Sequence, residues 1–452
     1  MTDIAPRPRP AALQLPAPTL PDERNAFFAL AGLATEPGRD PAAVGQALWQ
    51  INLARVALSP QQRLNSAGHA TLNQRVAAAA GPLLAAPSGP PLVCADPAGH
   101  CVAEWLADPV ALAAQRQRMA MQGGRCEALS APGMGFYELL PTPINMGANL
   151  APHHKSVLAC STWRLSGAVL AWHQGGSQEA VALLELAGRM DAMALSGSNT
   201  LIANMVAATI ARRTQATAVG LALRDPSLAR QLASMPSPVT EASQVAAARR
   251  WIAHEAAFQQ NATAELGECL DPDSAPMQQP AGWVERRLEW PNGWQCRNCV
   301  GWLPERNKAL TDDFWAGAAT ALSGGLPSAI QHVDRQAALA AQRGWRWRNT
   351  VGHMLVDLAA PNCGQYLRRA ADLPLHAEAA ALAVAAAAQR VPAPERAVWS
   401  QRQPLSAALR ERLHWDESGQ GFTARTWYEE GRSTVIEPRA AMRFAWPAPI
   451  PS

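Results

Sequence analysis

About a fifth of the 452 residues are alanine, and in several stretches they recur at spacings of three and four among larger apolar residues. Alanine is the strongest helix former, and that spacing stacks side chains on one helix face. A chain built this way is constrained to apolar-striped rods laid side by side. The pattern is clearest between Ser156 and Arg213. Ser156 to His173 reads as a helix, Gly175-Gly176-Ser177 as a turn, and Gln178 to Leu195 as a return helix with Ala180, Leu183, Ala187, Met190 and Ala194 on one face. Ser196-Gly197-Ser198-Asn199 turns the chain again before a helix over Thr200 to Arg213. Such a hairpin is tetratricopeptide-like, but no period of about 34 residues runs through the chain, so a full repeat array is not expected.

Helices are predicted elsewhere on the same grounds. A short one after Asn25 is capped by Asp22 or Asn25 and ended by Gly32. Others cover Ala42 to Ala57, Cys101 to Met121 (ended by Gly123-Gly124), Ser243 to Leu266, Asp313 to Leu322, Ser328 to Arg343, Val351 to Leu358 and His376 to Arg390. Phe422 to Tyr428, Ser433 to Glu437 and Met442 to Trp446 read as strands of a terminal meander. The expected fold is therefore mainly α: antiparallel helical hairpins, tetratricopeptide-like in part, with a small C-terminal β meander. Composition divides the chain into a disordered, Pro-rich leader (1–19), a helical body (20–270), an irregular Trp/Cys-rich excursion (271–310), a second helical segment (311–410) and a β tail (411–452).

Three segments carry a resemblance. They are Leu20-Pro21-Asp22-Glu23-Arg24-Asn25-Ala26-Phe27-Phe28-Ala29-Leu30-Ala31-Gly32-Leu33, the block from Leu195 to Ala207, and the late stretch holding Asn349-Thr350-Val351-Gly352, Asp357 to Pro361 and Tyr366 to Leu373. They resemble a group of uncharacterised proteobacterial cell-envelope proteins, which usually begin with a signal anchor, continue as a helical body and end in a Trp/Phe-bearing tail. The resemblance implies a cell-envelope location and brings no activity or catalytic residue with it.

Charge and cysteine usage narrow the function classes. The formal net charge is +3 with 17% charged residues, too little basic excess for a nucleic-acid groove. Lysine occurs only at Lys155 and Lys308, neither after a glycine-rich loop, so a phosphate-binding P-loop is excluded. The Ala-rich run from Ala377 to Ala388 is too short to span a bilayer. Residues 1–20 carry five prolines and lack a signal-peptide apolar core, which leaves room for a membrane anchor upstream of Met1. Among eight cysteines, Cys94 and Cys101 flank a short Pro/Gly turn and Cys296 and Cys299 form a second local pair. These four are the disulfide candidates, and they favour an oxidising compartment, the periplasm or cell envelope, over the cytoplasm.

Catalytic and metal motifs fail one by one. Cys296-x-x-Cys299 has no second pair to complete a zinc site. His254-Glu255 lacks the second zincin histidine, whose place Phe258 holds. Ala321-Leu322-Ser323-Gly324-Gly325 is one substitution from Gly-x-Ser-x-Gly but follows a helix instead of a strand. His153-His154 precedes a helix, where adjacent histidines read as exposed or capping. No metal and no cofactor are expected. Sixteen tryptophans are the most unusual feature. Trp345, Arg346, Trp347 and Arg348, with Trp294 and Trp302, are the candidate binding residues, since Trp and Arg dominate interface hot spots. The expected function is a non-catalytic cell-envelope protein that binds a protein partner through a helical scaffold. The alternative is a periplasmic hydrolase or carbohydrate-active enzyme with its site near His153 and His154.

Overall fold

The computed structural model describes residues 4–15, 17, 20–58, 66–82, 101–129, 131, 133–144, 153–269, 303–342, 350–430 and 442–445. The chain is mainly α, with a small three-stranded antiparallel sheet near its C-terminus. The helices are α1 (Ala26–Ala31), α2 (Pro41–Val56), α3 (Ser66–Ala80), α4 (Cys101–Ala107), α5 (Pro109–Arg118), α6 (Ala120–Ala128), α7 (His154–His173), α8 (Ser177–Gly197), α9 (Leu201–Ala222), α10 (Pro226–Leu232), α11 (Glu241–Cys269), α12 (Pro304–Ala321), α13 (Gly325–Gln342), α14 (Thr350–Ala388), α15 (Arg396–Gln401) and α16 (Ala407–Arg412). Strand β1 (Leu413–Trp415) pairs with β2 (Gly421–Ala424), and β2 pairs with β3 (Met442–Ala445); a short helix, α17 (Trp427–Glu430), lies between β2 and β3.

Local chemistry sets many of the boundaries. The Asn25 side chain accepts from Phe27 N and caps α1, and Asp40 and Thr200 do the same for α2 and α9. The α7–α8 hairpin closes through Gly175, whose φ of +86° only glycine adopts without strain. Its N–H donates to Trp172 O, and Gly176 N–H donates to Ala171 O, the paired bonds of a Schellman stop.

Among the described residues, packing forms three hydrophobic cores, and α14 contributes to all of them. Leu375, Ala379 and Leu382 join the core of α7–α10 and the sheet, where Phe422 and Phe444 stack. Leu373 and Ala377 join the core around Phe27, Phe136 and Trp163. Cys363, Leu367 and Ala370 join the core of Trp251, Phe314 and Trp315. Residues from the 20–270 and 311–410 stretches thus share cores. The segment Asn362–Ala388 is long and apolar enough to cross a membrane by length and composition, but 78% of its apolar window is buried by neighbouring helices.

The structure corrects several expectations. Among the described residues of the proline-rich leader, Ala11–Leu13 forms a 3-10 turn, Leu13 is fully buried, and Arg9 donates to Ala253 O. Burying a leucine outweighs the extended bias of nearby prolines. The single helix expected over Cys101 to Met121 is three pieces, because Asp108-Pro109 starts a new capped helix. Gly123 ends nothing; it lies within α6, where a Cβ would sit 2.0 Å from the Trp163 indole. The helices expected over Val351 to Leu358 and His376 to Arg390 are one helix running through Pro361 and Pro374. Residues Trp427 and Tyr428 are helical instead of extended, and their N–H groups donate to Asp372. Ser433 to Glu437 lies outside the described residues.

Candidate functional site

Residues 135–140 run extended beside the α8–α9 turn. Glu138 N–H donates to Gly197 O, and a Cβ on Gly197 would fall 1.9 Å from Phe136 O, so glycine alone permits this approach. The consequence is that Glu138 enters the start of α9. Its Oε2 accepts from the backbone N–H groups of Asn199 and Thr200, each at 2.7 Å, and its Oε1 accepts from Thr200 Oγ1 at 2.8 Å. Glu255 of α11 reaches the same helix terminus, accepting from Leu201 N–H at 3.2 Å. Unpaired amides and the helix dipole favour carboxylates there. Glu138 is nonetheless buried and Glu255 half-buried, and desolvation pushes the Glu138 carboxyl up to about 7 and that of Glu255 up as well, against those hydrogen bonds.

His153 is the residue before α7 and His154 its first residue. Both are buried, where an exposed pair is one expectation from sequence; His153 does hold the N-cap position, though its side chain makes no capping bond. Because His153 sits at the helix edge, its ring does not follow helical spacing, and the two rings meet edge to face with centroids 4.5 Å apart. Phe27 and Phe136 pack against His153 at 5.3 and 5.2 Å. Burial, then the neighbouring His154, holds His153 well below the usual histidine range; burial holds His154 at about 4. One ligand atom from each of Glu138, His153 and His154 lies within 4.8 Å of the others.

His254 is also buried, and neither ring nitrogen has a hydrogen-bond partner. Burial first, then Arg9 and Arg250, lower it to about 4. A group depressed from 6.5 to about 4 stays neutral in the fold, so stability falls as pH drops from 6.5 through 4, where the unfolded chain takes up the proton first. We expect His254→Leu to remove about 3 kcal/mol of that acid loss, read from urea unfolding at pH 7.5 and pH 4. Equal pH dependence in both proteins would refute it.

A second site is concave. Along α14, between α8–α10 and the 403–406 loop, runs a cavity of about 360 Å³. It adjoins another of about 550 Å³, with which it shares Ser237, Ala377, Glu378, Ala381, Pro404 and Leu405. Ala377, Ala381 and Ala385 stand one turn apart on its floor. Glu378 accepts from Ser406 N–H and Ser406 Oγ, holding the loop over the groove. Polar residues interrupt its apolar lining, among them Asp191, Thr214, Gln215 and Gln403. Asp191 is 2% exposed with Oδ1 unpartnered, and burial pushes its carboxyl up to about 7. Beside it, Gln215 Oε1 engages His376 while its buried Nε2 has no partner.

The sequence-derived candidates fare unevenly. Trp345, Arg346, Trp347, Arg348, Trp294 and Trp302 lie outside the described residues, as do Cys94, Cys296 and Cys299. Cys101 is disulfide-bonded. A pairing that local spacing missed joins Cys126 of α6 to Cys160 of α7. Ser323 lies in a 3-10 turn and donates to Thr320 O, so no nucleophile elbow forms. Glu138, Asp191 and Gln215 carried no motif in the sequence. Comparison with protein-family models, curated proteins and solved structures finds no match.

Proposed function

We propose that the protein is a non-catalytic binding protein that holds a short apolar peptide segment of a partner protein in the groove along α14. The observation carrying this reading is a mostly apolar groove whose lining includes two buried polar side chains with unpartnered atoms, Asp191 and Gln215. An extended peptide offers one N–H donor and one C=O acceptor per residue. Asp191 Oδ1 is an acceptor without a donor, and Gln215 Nε2 a donor without an acceptor. Apolar walls with few convergent polar groups are the usual form of a binding cavity. The alanine stripe leaves the floor open to a second backbone, and the two adjoining cavities favour an elongated occupant over a compact one. Near-complete burial of Glu138 and His153 supports a holding role over turnover at the histidine pair. The Cys126–Cys160 bond supports an oxidising compartment, in keeping with the periplasm or cell envelope.

The test uses an arrayed library of short peptides graded in apolar content, probed with the purified full chain and with Ala381→Trp. Residue 381 is exposed, so the indole fills the groove without disturbing a core. Apolar peptides should bind, and A381W should weaken them by roughly tenfold or more, about 1.4 kcal/mol. Absence of any apolar preference, or equal binding by A381W, would overturn the reading.

A further inference from the structure

We infer that Glu138, His153 and His154 form a structural site for a borderline divalent first-row cation of the zinc or cobalt class. The inference is independent of the groove. Two features carry it: three ligand-bearing side chains from two chain segments, Glu138 on one and the adjacent His153 and His154 on the other, converge within 4.8 Å, and each histidine keeps a buried nitrogen, His153 Nδ1 and His154 Nε2, with no hydrogen-bond partner. Buried polar atoms left unpaired are costly, and two in one cluster point to something that engages both.

The carboxylate fits the role. A carboxylate has about four lone-pair positions. Three on Glu138 are occupied by Asn199 N–H, Thr200 N–H and the Thr200 hydroxyl. One on Oε1 remains, and the three bonds fix the orientation of the group as outer-shell partners do around metals. Thr200 Oγ1 is itself held, accepting from Ala203 N–H. The Phe27 and Phe136 rings fix the His153 ring in the same way.

The donor set selects the ion. Two imidazoles and one carboxylate suit zinc, cobalt or nickel, whereas magnesium and calcium take oxygen ligands. A tetrahedral ion with ligands at about 2.0–2.1 Å spaces them roughly 3.3 Å apart, so the triad closes by at most about 1.5 Å. With all three residues buried, the site is shut off from bulk solvent, and a water would take the fourth tetrahedral position that the three side chains leave. Its effect is to join the 135–140 segment, the start of α7 and, through Thr200, the start of α9.

The experiment is a Co²⁺ titration of the metal-depleted full chain, with bound metal counted by elemental analysis. It is run in the Cys296→Ser/Cys299→Ser background so that the Cys-x-x-Cys pair cannot supply ligands. One equivalent should bind, with visible cobalt bands and without the intense near-ultraviolet band of thiolate ligation. His153→Phe and His154→Phe should each weaken binding at least roughly a hundredfold, about 2.7 kcal/mol, while His254→Leu binds like the parent. Circular dichroism establishes that each variant is helical, and the parent stoichiometry decides the matter where a variant does not fold. Less than stoichiometric binding by the parent, a thiolate band, or retained affinity in both phenylalanine variants would overturn the site.

Discussion

Arg164→Ala is expected to cost about 3–5 kcal/mol of stability, the range for truncating a large buried side chain and leaving buried polar groups without their donor. Arg164 has no exposed surface. Its guanidinium donates to Cys126 O and to Met190 Sδ, and it faces the buried carboxyl of Asp191. Three segments of one core therefore meet on a single side chain. Alanine would remove the charge opposite Asp191, free a buried carbonyl and leave a void among Met190, Cys126 and their neighbours. Urea unfolding at neutral pH measures the loss. A double variant, Arg164→Met with Asp191→Asn, should recover a large part of it, because apolar volume and a neutral amide replace the stranded acid. A single-variant loss below about 1 kcal/mol would show that the pair contributes little.

The second large effect belongs to the Cys126–Cys160 bond. It closes a loop with a sequence separation of 34, which restricts the unfolded chain by about 3–4 kcal/mol on the chain-entropy estimate. Cys126→Ala/Cys160→Ala should unfold correspondingly earlier in denaturant. Reductant should lower the parent midpoint and leave that particular loss absent from the variant. Both sulfur-bearing residues are fully buried, so reduction is expected to follow opening of the structure. Midpoints that do not differ between parent and variant under oxidising conditions would show that the crosslink constrains nothing.

How far the sequence reveals the fold depends on the range of the interaction involved. Asn25, Thr200 and the Gly175 turn act within a few residues, and their helix boundaries are legible from the chain. Pro361 and Pro374 carry a local signal against a continuous helix, since proline removes a helix hydrogen bond and crowds the preceding turn. They fail as stops because α14 is packed from several sides, and burial of Leu367, Leu373, Leu375 and Leu382 outweighs roughly 3 kcal/mol per interior proline.

The histidine pair was visible as two letters, but its partner was not. Glu138 lies in an extended segment without periodicity, and only the close passage at Gly197 carries it to the start of α9. Asp191 and Gln215 stand on helices where isolated polar residues ordinarily face water. The Cys126–Cys160 pairing is not legible in the sequence, where the local pairs stand out, because sequence proximity says nothing about which sulfurs two packed helices bring together.

The position of α14 in the chain bears on how the molecule is made. Most of its partners are translated before it, yet each of the three cores waits for residues between 363 and 387. A nascent chain that has passed the ribosome only as far as α13 therefore carries three incomplete apolar seams at once, the kind of surface that attracts aggregation or a chaperone during synthesis. Arrest of translation just before residue 350 should leave a protease-sensitive intermediate, and release of the full chain, which also supplies Leu409, Phe422 and Phe444 to the first seam, should consolidate the three seams together.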